Sequence, residues 1–400
     1  MGGVSLAYLF DGLCCLFSVV FFWSTAVLIL GLLRKARVYP NAERKLRFAV
    51  LICARDEERV IASPVKSILA SSYPREKYEV FVLADNCTDR TADVASREGA
   101  TVWRKETTSD GKGDVLAWGV EKVRKLGGFD AIAVFDADNT MSPKWLDEMN
   151  NALNDGESVV TGCRYSSNAH MNIITGWYCV YWNMMNELSN RVRTNLGLSG
   201  KLTGTGFAFL TSCLGDDGWN TRTMVEDVEF SVQGNIKGRR VAYVGNANYS
   251  DEQPVTLATM WRQIRRWSTG GWQVVRYYLF PWFASMCRKP SLRLFDSFFS
   301  ILTGISVAFI HAANVIALVV KLSTGAPVAP TVEIFLGFLF FVFLMGWITA
   351  VLASVLTIKA ERAKLLSIIT FPIFSLILSL SILFTFIFPT RRWKPIPHGA

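Results

Sequence analysis

Four long apolar segments restrict what this chain can fold into more than any other feature. They cover residues 13–33, 294–320, 334–357 and 365–388 and carry almost no charge. Each provides the ~20 residues that a helix needs to cross a bilayer core. The chain has 400 residues and is 51% hydrophobic, which is too apolar for an ordinary soluble domain. We therefore predict one N-terminal membrane helix, a water-soluble domain and a C-terminal membrane bundle.

The basic residues beside these segments indicate an orientation. Arg34, Lys35 and Arg37 follow the first segment, and the charge bias of membrane proteins predicts a cytoplasmic position for them. The segment has neither a basic leader nor a small-residue cleavage site, so we interpret it as an anchor and not a signal peptide. The tail at 391–400 is also basic, although three distal spans would carry it outside. Either one stretch only dips into the membrane or the tail departs from the bias.

Charge and cysteine content exclude other classes of partner. The net charge of +9 arises largely from Lys and Arg beside the apolar segments, where anionic lipid headgroups account for it. We therefore expect a lipid bilayer, and no nucleic acid, as a partner. The eight cysteines form no CxxC pair and no metal-ligand spacing with the three histidines. This pattern predicts reduced thiols and no structural zinc.

The middle of the chain has the pattern of an α/β domain. Apolar strand patterns at 47–58, 79–91 and 131–139 alternate with helical spacing, which predicts a mainly parallel sheet covered on both faces. Ligands bind such sheets at the carboxyl ends of the strands. Asp136 and Asp138 follow the third strand two residues apart, so their side chains point the same way. They indicate either a metal site or a polar turn.

Seven short motifs then occur in a fixed order: ARDEE, ADNCTDRT, GKGDVLAWG, FDADN, TGTG, VEDVEFS and QIRRW. Together they resemble the signature of membrane-embedded family 2 glycosyltransferases, the group of cellulose, chitin, hyaluronan and poly-N-acetylglucosamine synthases. The resemblance covers about residues 47–270. It implies an α/β GT-A nucleotide-sugar-binding domain inserted between one N-terminal and about three C-terminal transmembrane helices. The implied divisions are a membrane helix (1–36), a cytoplasmic GT-A domain (37–255), interfacial helices with QxxRW (256–292), a membrane bundle (293–390) and a basic tail (391–400).

The resemblance also implies a donor site for a UDP-sugar. Asp85 matches the carboxylate that binds the uracil ring, and Glu57 meets the edge of the nucleoside. Lys112 would contact phosphate, while Asp136, Gln263 and Arg266 would also contact the nucleotide-sugar. Asp138 would bind Mg²⁺ or Mn²⁺, which prefer the hard oxygen donors of carboxylates and phosphates. Two positions, Ala84 and Asp56, depart from the residues common in the family. The plainer alternatives are a turn or cap role for Asp85 and a solvated loop lysine at Lys112.

On the acceptor side, the resemblance implies that Asp227 is the general base of an inverting reaction. Trp267 would stack on the acceptor sugar, and the remaining acceptor-side residues would be Glu226, Gly204, Thr205 and Gly206. The alternative for 226–227 is a pair of solvated helix acids, while the basic, Trp-rich stretch at 261–283 is also typical of an interfacial membrane helix, a role compatible with QxxRW. Two further features are each open to two interpretations. Residues 171–192 form either a core-packing helix or a membrane-surface helix, and His311 with Asn314 either line a sugar path or join helices.

These residues lead to one main hypothesis and one alternative. The main hypothesis is an inverting, metal-dependent hexosyltransferase in the cell membrane that extends a β-linked polysaccharide, with translocation through its bundle as a further expectation. The alternative is a single addition to a lipid acceptor, because four predicted spans make a small bundle. A homo-oligomer could complete a channel. A catalytically silent scaffold is disfavoured, because Asp85, Asp136, Asp138 and Asp227 are all present.

Overall fold

The computed structural model describes residues 2–325, 327–357 and 363–390. The predicted basic tail at 391–400 lies outside the described residues. Within them, an eight-stranded mixed sheet forms the water-soluble domain, with the strand order β3-β2-β1-β4-β7-β6-β8-β5. Its strands are β1 (Phe48–Ala54), β2 (Tyr78–Asp85), β3 (Thr101–Lys105), β4 (Ala131–Asp136), β5 (Thr140–Met141), β6 (Val159–Ser166), β7 (Phe207–Leu210) and β8 (Val241–Asp251).

Helices cover both faces of the sheet and continue into an apolar bundle. They are α1 (Gly2–Leu33), α2 (Ala62–Leu69), α3 (Thr91–Arg97), α4 (Lys112–Leu126), α5 (Trp145–Asn154), α6 (Ile173–Asn183), α7 (Val192–Asn195), α8 (Glu226–Ile236), α9 (Leu257–Arg288), α10 (Leu292–Thr324), α11 (Ala329–Leu356) and α12 (Leu365–Ile387). A π-helix, Met184–Arg191, joins α6 to α7.

The parallel half of the sheet follows from its sequence pattern. Strands β3, β2, β1 and β4 are parallel neighbours, with Val50 of β1 opposite Val80 of β2 and Ala133 of β4. Alternate residues of β1 enter the two cores, because Val50 packs on the side of α2 and α5 while Leu51 packs on the side of α4. A strand buried on both faces must be apolar throughout. The predicted α/β sheet with helices on both faces is therefore confirmed.

The other half of the sheet is mixed, which the sequence pattern did not predict. Strand β7 pairs antiparallel with β4 and β6, whereas β6 and β8 are parallel and β5 is antiparallel to β8. The reason lies in the connection before β7. Gly206 donates its amide to Val134 near the end of β4, so the chain enters β7 from the carboxyl end of β4 and must run back.

Four helices of the described chain are long and apolar enough to cross a membrane: Cys15–Leu33 within α1, and α10, α11 and α12. Their bounds agree with the four predicted segments to within a few residues. The junction with the soluble domain includes a buried ion pair. Arg193 of α7 donates to Asp296 of α10 at 2.8 Å, and Trp23 of α1 donates to the same carboxylate at 3.1 Å. Three elements therefore meet at one fully buried carboxylate.

The aromatic segment predicted at 171–192 is a packing element. Asn172 caps α6 through a reciprocal capping box with Thr175, and Tyr178 packs in one apolar cluster with α9 and α12. This helix therefore connects the sheet to the bundle. In the bundle, Asn314 donates to Ile310 of its own helix at 2.9 Å, and the ring of His311 lies 4.9 Å from that of Phe338. Both observations favour helix packing for the polar pair.

Candidate active site

A cavity of about 160 Å³ lies at the carboxyl ends of β1, β2 and β4. These three strands bring polar side chains to one edge of the sheet, as expected for a doubly covered α/β sheet. The opposite wall comes from β6, β8 and the first turns of α9. The lining residues are Cys53, Ala54, Arg55, Glu57, Asp85, Lys112, Val115, Asp136, Ala137, Asp138, Arg164, Asp251, Glu252, Gln263 and Arg266. Seven of the residues predicted from the sequence are among them.

Asp85 is buried at the end of β2 and bonded to three side chains. Its carboxylate pairs with the guanidinium of Arg55, accepts from Ser109 Oγ at 2.9 Å and accepts from Asn86 Nδ2 at 2.8 Å. Asn86 adopts a φ of 48°, a left-handed conformation that asparagine tolerates well. Asp85 therefore lies in the cavity wall with a fixed orientation and does not cap a helix. Glu57 lines the same wall.

Lys112, the first residue of α4, connects the two sides of the cavity. Its ammonium donates to the carboxylate of Asp136 and to the carbonyl oxygen of Gly204 at 2.6 Å, and it lies 4.0 Å from Glu226 Oε1. Burial lowers the pKa of Lys112, but the carboxylates of Asp136 and Glu226 outweigh burial, so its pKa is raised. The lysine is therefore a permanent cation inside the cavity wall, not a solvated loop residue.

The turn after β4 is held from inside the protein. The amide of Asp136 donates to Asn139 Oδ1 at 3.0 Å and to Thr205 Oγ1 at 2.9 Å. Asn139 Nδ2 in turn donates to Asp138 Oδ1 at 3.1 Å. The buried hydroxyl of Thr205 also donates to Asn139. Both aspartate side chains consequently face the cavity on a rigid turn.

The predicted acceptor loop, Gly204 to Gly206, lies behind this turn. Gly206 has a φ of +62°, and a Cβ built on it would lie 2.1 Å from the ring of Tyr249. The hydroxyl of Tyr249 donates to the carbonyl of Thr205 at 2.9 Å. A glycine is therefore required here both by the backbone conformation and by the close approach of the ring. In this structure the Thr205 side chain contacts Asp136 and Asn139.

Glu226 and Asp227 begin α8 and are both buried, so they are not solvated helix acids. Burial, and then the neighbouring charge of Asp227, raises the pKa of Glu226 to about 7. Burial also raises the pKa of Asp227. Two adjacent buried carboxyl groups resist simultaneous ionisation, so the pair retains a proton close to neutral pH.

The QxxRW residues lie on the first turns of α9. Gln263 and Arg266 line the cavity, and Arg266 donates to the carbonyl of Met224 at 3.2 Å just before α8. Trp267 stacks on Tyr181 with ring centroids 5.9 Å apart and an interplanar angle of 20°. It also lies 5.8 Å from the ring of Trp182. The predicted interfacial segment is thus one continuous helix whose aromatic side joins α6 and α12.

Sequence reasoning missed four charged residues of the cavity wall: Arg55, Arg164, Asp251 and Glu252. Arg164 and Asp251 form an ion pair between β6 and β8. One signal was available, because an arginine inside an otherwise apolar strand requires a buried partner. That partner is 87 residues away in the sequence, and no local pattern identifies it.

Among the described residues, Asp56, Cys87 and Asp89 form a group whose ligand atoms lie within 4.8 Å of one another. This group is separate from Asp138, the predicted metal ligand. Backbone amides already occupy its carboxylates, because Asp56 accepts from Thr88 at 2.7 Å and Asp89 accepts from Glu58 at 3.0 Å. These bonds are typical of side chains that stabilise turns.

Residues 46–270 match the family described as "Glycosyltransferase like family 2". Probable glycosyltransferase YdaM of Bacillus subtilis is 26% identical over 65% of this chain and 63% of its own length. Beta-monoglucosyldiacylglycerol synthase of Nostoc is 27% identical over 56% of this chain and 49% of its own. Poly-beta-1,6-N-acetyl-D-glucosamine synthase of Staphylococcus aureus is 24% identical over 71% and 68%. The chain thus spans from about half to about two thirds of the length of these relatives.

A solved structure has a similar fold over almost the whole chain. It is the mannosyltransferase PcManGT of Pyrobaculum calidifontis in complex with GDP-Man and Mn²⁺, with a TM-score of 0.63 and 15% identity. The alignment covers 94% of this chain and 99% of that one. At this identity the comparison concerns the fold alone. Its coverage includes apolar helices that precede and follow the sheet in the sequence.

Proposed function

Because the chain belongs to glycosyltransferase family 2, we propose that it transfers a sugar from a UDP-sugar, with inversion, to a growing β-linked polysaccharide. The observation that carries this proposal is the convergence on one cavity of Asp85, Lys112, Asp136 and Asp138 with Gln263 and Arg266 of α9. The buried pair Glu226 and Asp227 adjoins this group through Lys112. Residues from five distant parts of the chain thus surround a space suited to a charged nucleotide.

The donor half of the cavity suits a nucleoside diphosphate with a divalent cation. Asp138 would hold Mg²⁺ or Mn²⁺ through carboxylate oxygens, the donors that these ions prefer, and Asp136 would contact the nucleotide-sugar. When bound, the cation supplies positive charge to the leaving diphosphate. Lys112 supplies a second positive charge near the same atoms, and Asp85 accepts from the base ring. The presence of Mn²⁺ with the donor in the similar mannosyltransferase structure supports this assignment.

Asp227 is the proposed general base. It would take the proton of the acceptor hydroxyl while UDP leaves from the opposite face of the sugar. A positioned base contributes about 10²- to 10⁴-fold to the rate. Burial raises the pKa of Asp227, which brings a carboxylate closer to the basicity that proton removal near neutral pH requires. Glu226 and the proposed acceptor loop at Gly204 adjoin it.

The acceptor half lies against the aromatic side of α9. Trp267 offers a ring face for a sugar, and Tyr181 and Trp182 support that ring. The basic residues Arg34, Lys35 and Arg37 support a cytoplasmic position for this site in a multi-pass protein of the cell membrane. In the polysaccharide route the product would pass through the bundle. This bundle would be formed by one chain or completed by a second copy of the chain.

A second candidate is the addition of one sugar to a lipid. It is favoured by the packing of the polar pair in α10, where His311 contacts Phe338 and Asn314 bonds within its own helix. It is also favoured by the similarity to beta-monoglucosyldiacylglycerol synthases. The two candidates share the donor site and the base, and they differ only in what approaches Trp267.

A donor screen with product analysis tests the proposal. The purified full chain with Mn²⁺ is given UDP-glucose, UDP-N-acetylglucosamine, UDP-galactose, UDP-glucuronate and, as a contrasting donor, GDP-mannose. Nucleotide release is measured with the purified chain. Labelled products that form when host membranes are added as the source of acceptor are then separated. A ladder of increasing length supports the polysaccharide route, whereas one sugar on an extractable lipid supports the second candidate. Release from GDP-mannose alone, or from no donor at all, would reject a UDP-sugar transferase.

A further inference from the structure

Arg164 of β6 is a buried arginine that none of the sequence motifs contains. The carbon Cζ of its guanidinium lies 3.6 Å from the centroid of the Trp182 ring. The same group pairs with the carboxylate of Asp251 and donates to the carbonyl oxygen of Thr203 at 2.6 Å. Stacking and forked hydrogen bonding at once require a planar guanidinium, which lysine does not have. The site therefore depends on arginine in particular.

Arg164 and three other side chains form a closed ring of contacts. Asp251 accepts from Gln253 Nε2 at 2.7 Å, and Gln253 Oε1 accepts from Trp182 Nε1 at 2.9 Å. The guanidinium of Arg164 lies over the Trp182 ring and pairs with Asp251, which closes the ring. We call this set the Arg164 ring. A closed buried network has fixed geometry, since moving one member breaks bonds with two others.

Trp182, a member of the Arg164 ring, also contacts Trp267 and Tyr181. We call these three aromatic residues the aromatic wall of the proposed acceptor site. Trp182 lies 5.8 Å from Trp267 and 4.9 Å from Tyr181. A displacement of Trp267 by a bound acceptor would therefore press on Trp182 directly. Close-packed aromatic side chains transmit such displacements because they leave no free volume to absorb them.

Arg164 itself holds the loop at 203–205, which lies behind the donor site. Three consecutive carbonyl groups of this loop accept bonds from three elements: Thr203 from Arg164, Gly204 from Lys112 and Thr205 from Tyr249. The Thr205 hydroxyl also accepts from the amide of Asp136. The position of the loop thus sets both the ammonium of Lys112 and the turn that carries Asp136.

We propose that Arg164 is a positioning residue that couples acceptor binding at the aromatic wall to the alignment of the donor-site groups. This inference rests on the proposed function and adds a role for residues outside the motifs. Without the Arg164 ring, the donor still binds, but its sugar is aligned less well for the acceptor hydroxyl. A larger share of the donor is then lost to water. A displacement of about 1 Å at such a site costs up to about 10²-fold in rate.

The test measures how donor consumption is divided between water and acceptor. Parent, Arg164→Lys and Arg240→Lys are compared as full chains in detergent with Mn²⁺. Arg240→Lys is the matched control, because Arg240 forms a similarly buried ion pair with Glu157 outside the cavity. The donor is the labelled UDP-sugar that the parent turns over in the screen above, and the acceptor probes are dioctanoylglycerol and cellobiose. Free labelled sugar, labelled glycoside and the Kd of UDP are measured.

For Arg164→Lys we expect glycoside formed per UDP released to fall by about 10-fold or more, with the Kd of UDP within about twofold of the parent. Arg240→Lys should keep the parent ratio. If Arg164→Lys does not fold, Trp182→Phe replaces it, because it keeps an aromatic ring while it removes the bond to Gln253; its ratio should also fall. An unchanged ratio in the folded variant would overturn the inference. Failure of the proposed function is distinct, because the parent itself would then release no UDP.

Discussion

The ammonium of Lys112 donates to the carboxylate of Asp136 and holds the turn of Asp136 and Asp138 against α4. The same ammonium reaches the carbonyl of Gly204 at 2.6 Å. One cation thus joins the turn after β4 to the loop before β7. Each partner can only accept hydrogen bonds, so an apolar side chain here would deprive both groups of this donor.

Replacing Lys112 with Met should lower kcat/KM for the UDP-sugar at least about tenfold, because the leaving diphosphate loses a fixed positive charge. The control is Lys122→Met on the same helix, where the ammonium lies over Trp118. Initial rates of UDP release at several donor concentrations check both variants. Equal kcat/KM for Lys112→Met and Lys122→Met would exclude the phosphate role.

Asp138→Ala should abolish the dependence of UDP affinity on metal, because the predicted cation ligand is lost. Isothermal titration of UDP with and without Mn²⁺ measures this directly. The parent should bind more tightly with Mn²⁺, and the variant should bind equally under both conditions. A variant that keeps the full Mn²⁺ effect would move the metal site elsewhere, with Asp56, Cys87 and Asp89 as the next group to test.

Asp227→Asn should leave UDP binding close to that of the parent and reduce transfer by about 10² to 10⁴. Asparagine has nearly the same shape but does not take up a proton. UDP affinity and labelled glycoside are measured on the same preparation, so that a folding defect is recognised by lost affinity. Transfer at the parental rate would remove Asp227 from the role of base.

The pH profile should reflect the carboxyl pair at the start of α8. Burial and the charge of Asp227 raise the pKa of Glu226 to about 7, and burial raises the pKa of Asp227. A base acts in its ionised form, so kcat should fall on the acid side as Asp227 takes up its proton, at a higher pH than for an ordinary aspartate. The charge of Asp227 raises the pKa of Glu226, so Asp227 ionises first and Glu226 is neutral where Asp227 titrates. Glu226→Gln should therefore leave this acid limb of the kcat profile in place, and a limb that moves would mean that Glu226 is charged while Asp227 titrates.

Gly206→Ala should destabilise the protein more than Gly238→Ala. Both glycines have positive φ, +62° and +80°, but a Cβ on Gly206 would overlap the Tyr249 ring, whereas no described atom lies within 4 Å of a Cβ on Gly238. Backbone strain alone costs about 1 to 2 kcal/mol, and the overlap adds to it for Gly206. Thermal unfolding monitored by tryptophan fluorescence compares the two, and equal losses would contradict the close packing on Tyr249.

Sequence reasoning succeeded where the signal is local. A short stretch of sequence is enough to recognise the continuous apolar residues of β1 and β4 and the four long apolar segments. The same holds for Asp136 and Asp138 at the end of a strand. The short strand β7, with four residues, gives no periodic signal. In β6, buried Arg164 and Thr161 interrupt the apolar pattern of a strand. The mixed half of the sheet was therefore not predicted.

The contacts that fix the site's geometry were beyond the sequence for a different reason. Arg55 meets Asp85 across 30 residues, and Asp136 meets Thr205 across 69. The resemblance implied an acceptor loop at 204–206, and the structure adds that the Thr205 hydroxyl holds the turn of Asp136. Such pairings depend on which strands become neighbours, and that is decided by the whole sheet.

The continuous helix α9 links the cavity to α12, one of the helices that are long and apolar enough to cross a membrane. It has 32 residues and is therefore about 48 Å long. Gln263 near its start faces the cavity, while Trp272 further along donates to Ile382 of α12 at 3.0 Å. Helices tilt when their hydrophobic length does not match the bilayer, and a tilt of α12 would turn α9 with it. Acyl-chain length in reconstituted vesicles should thus act as a mechanical control on turnover.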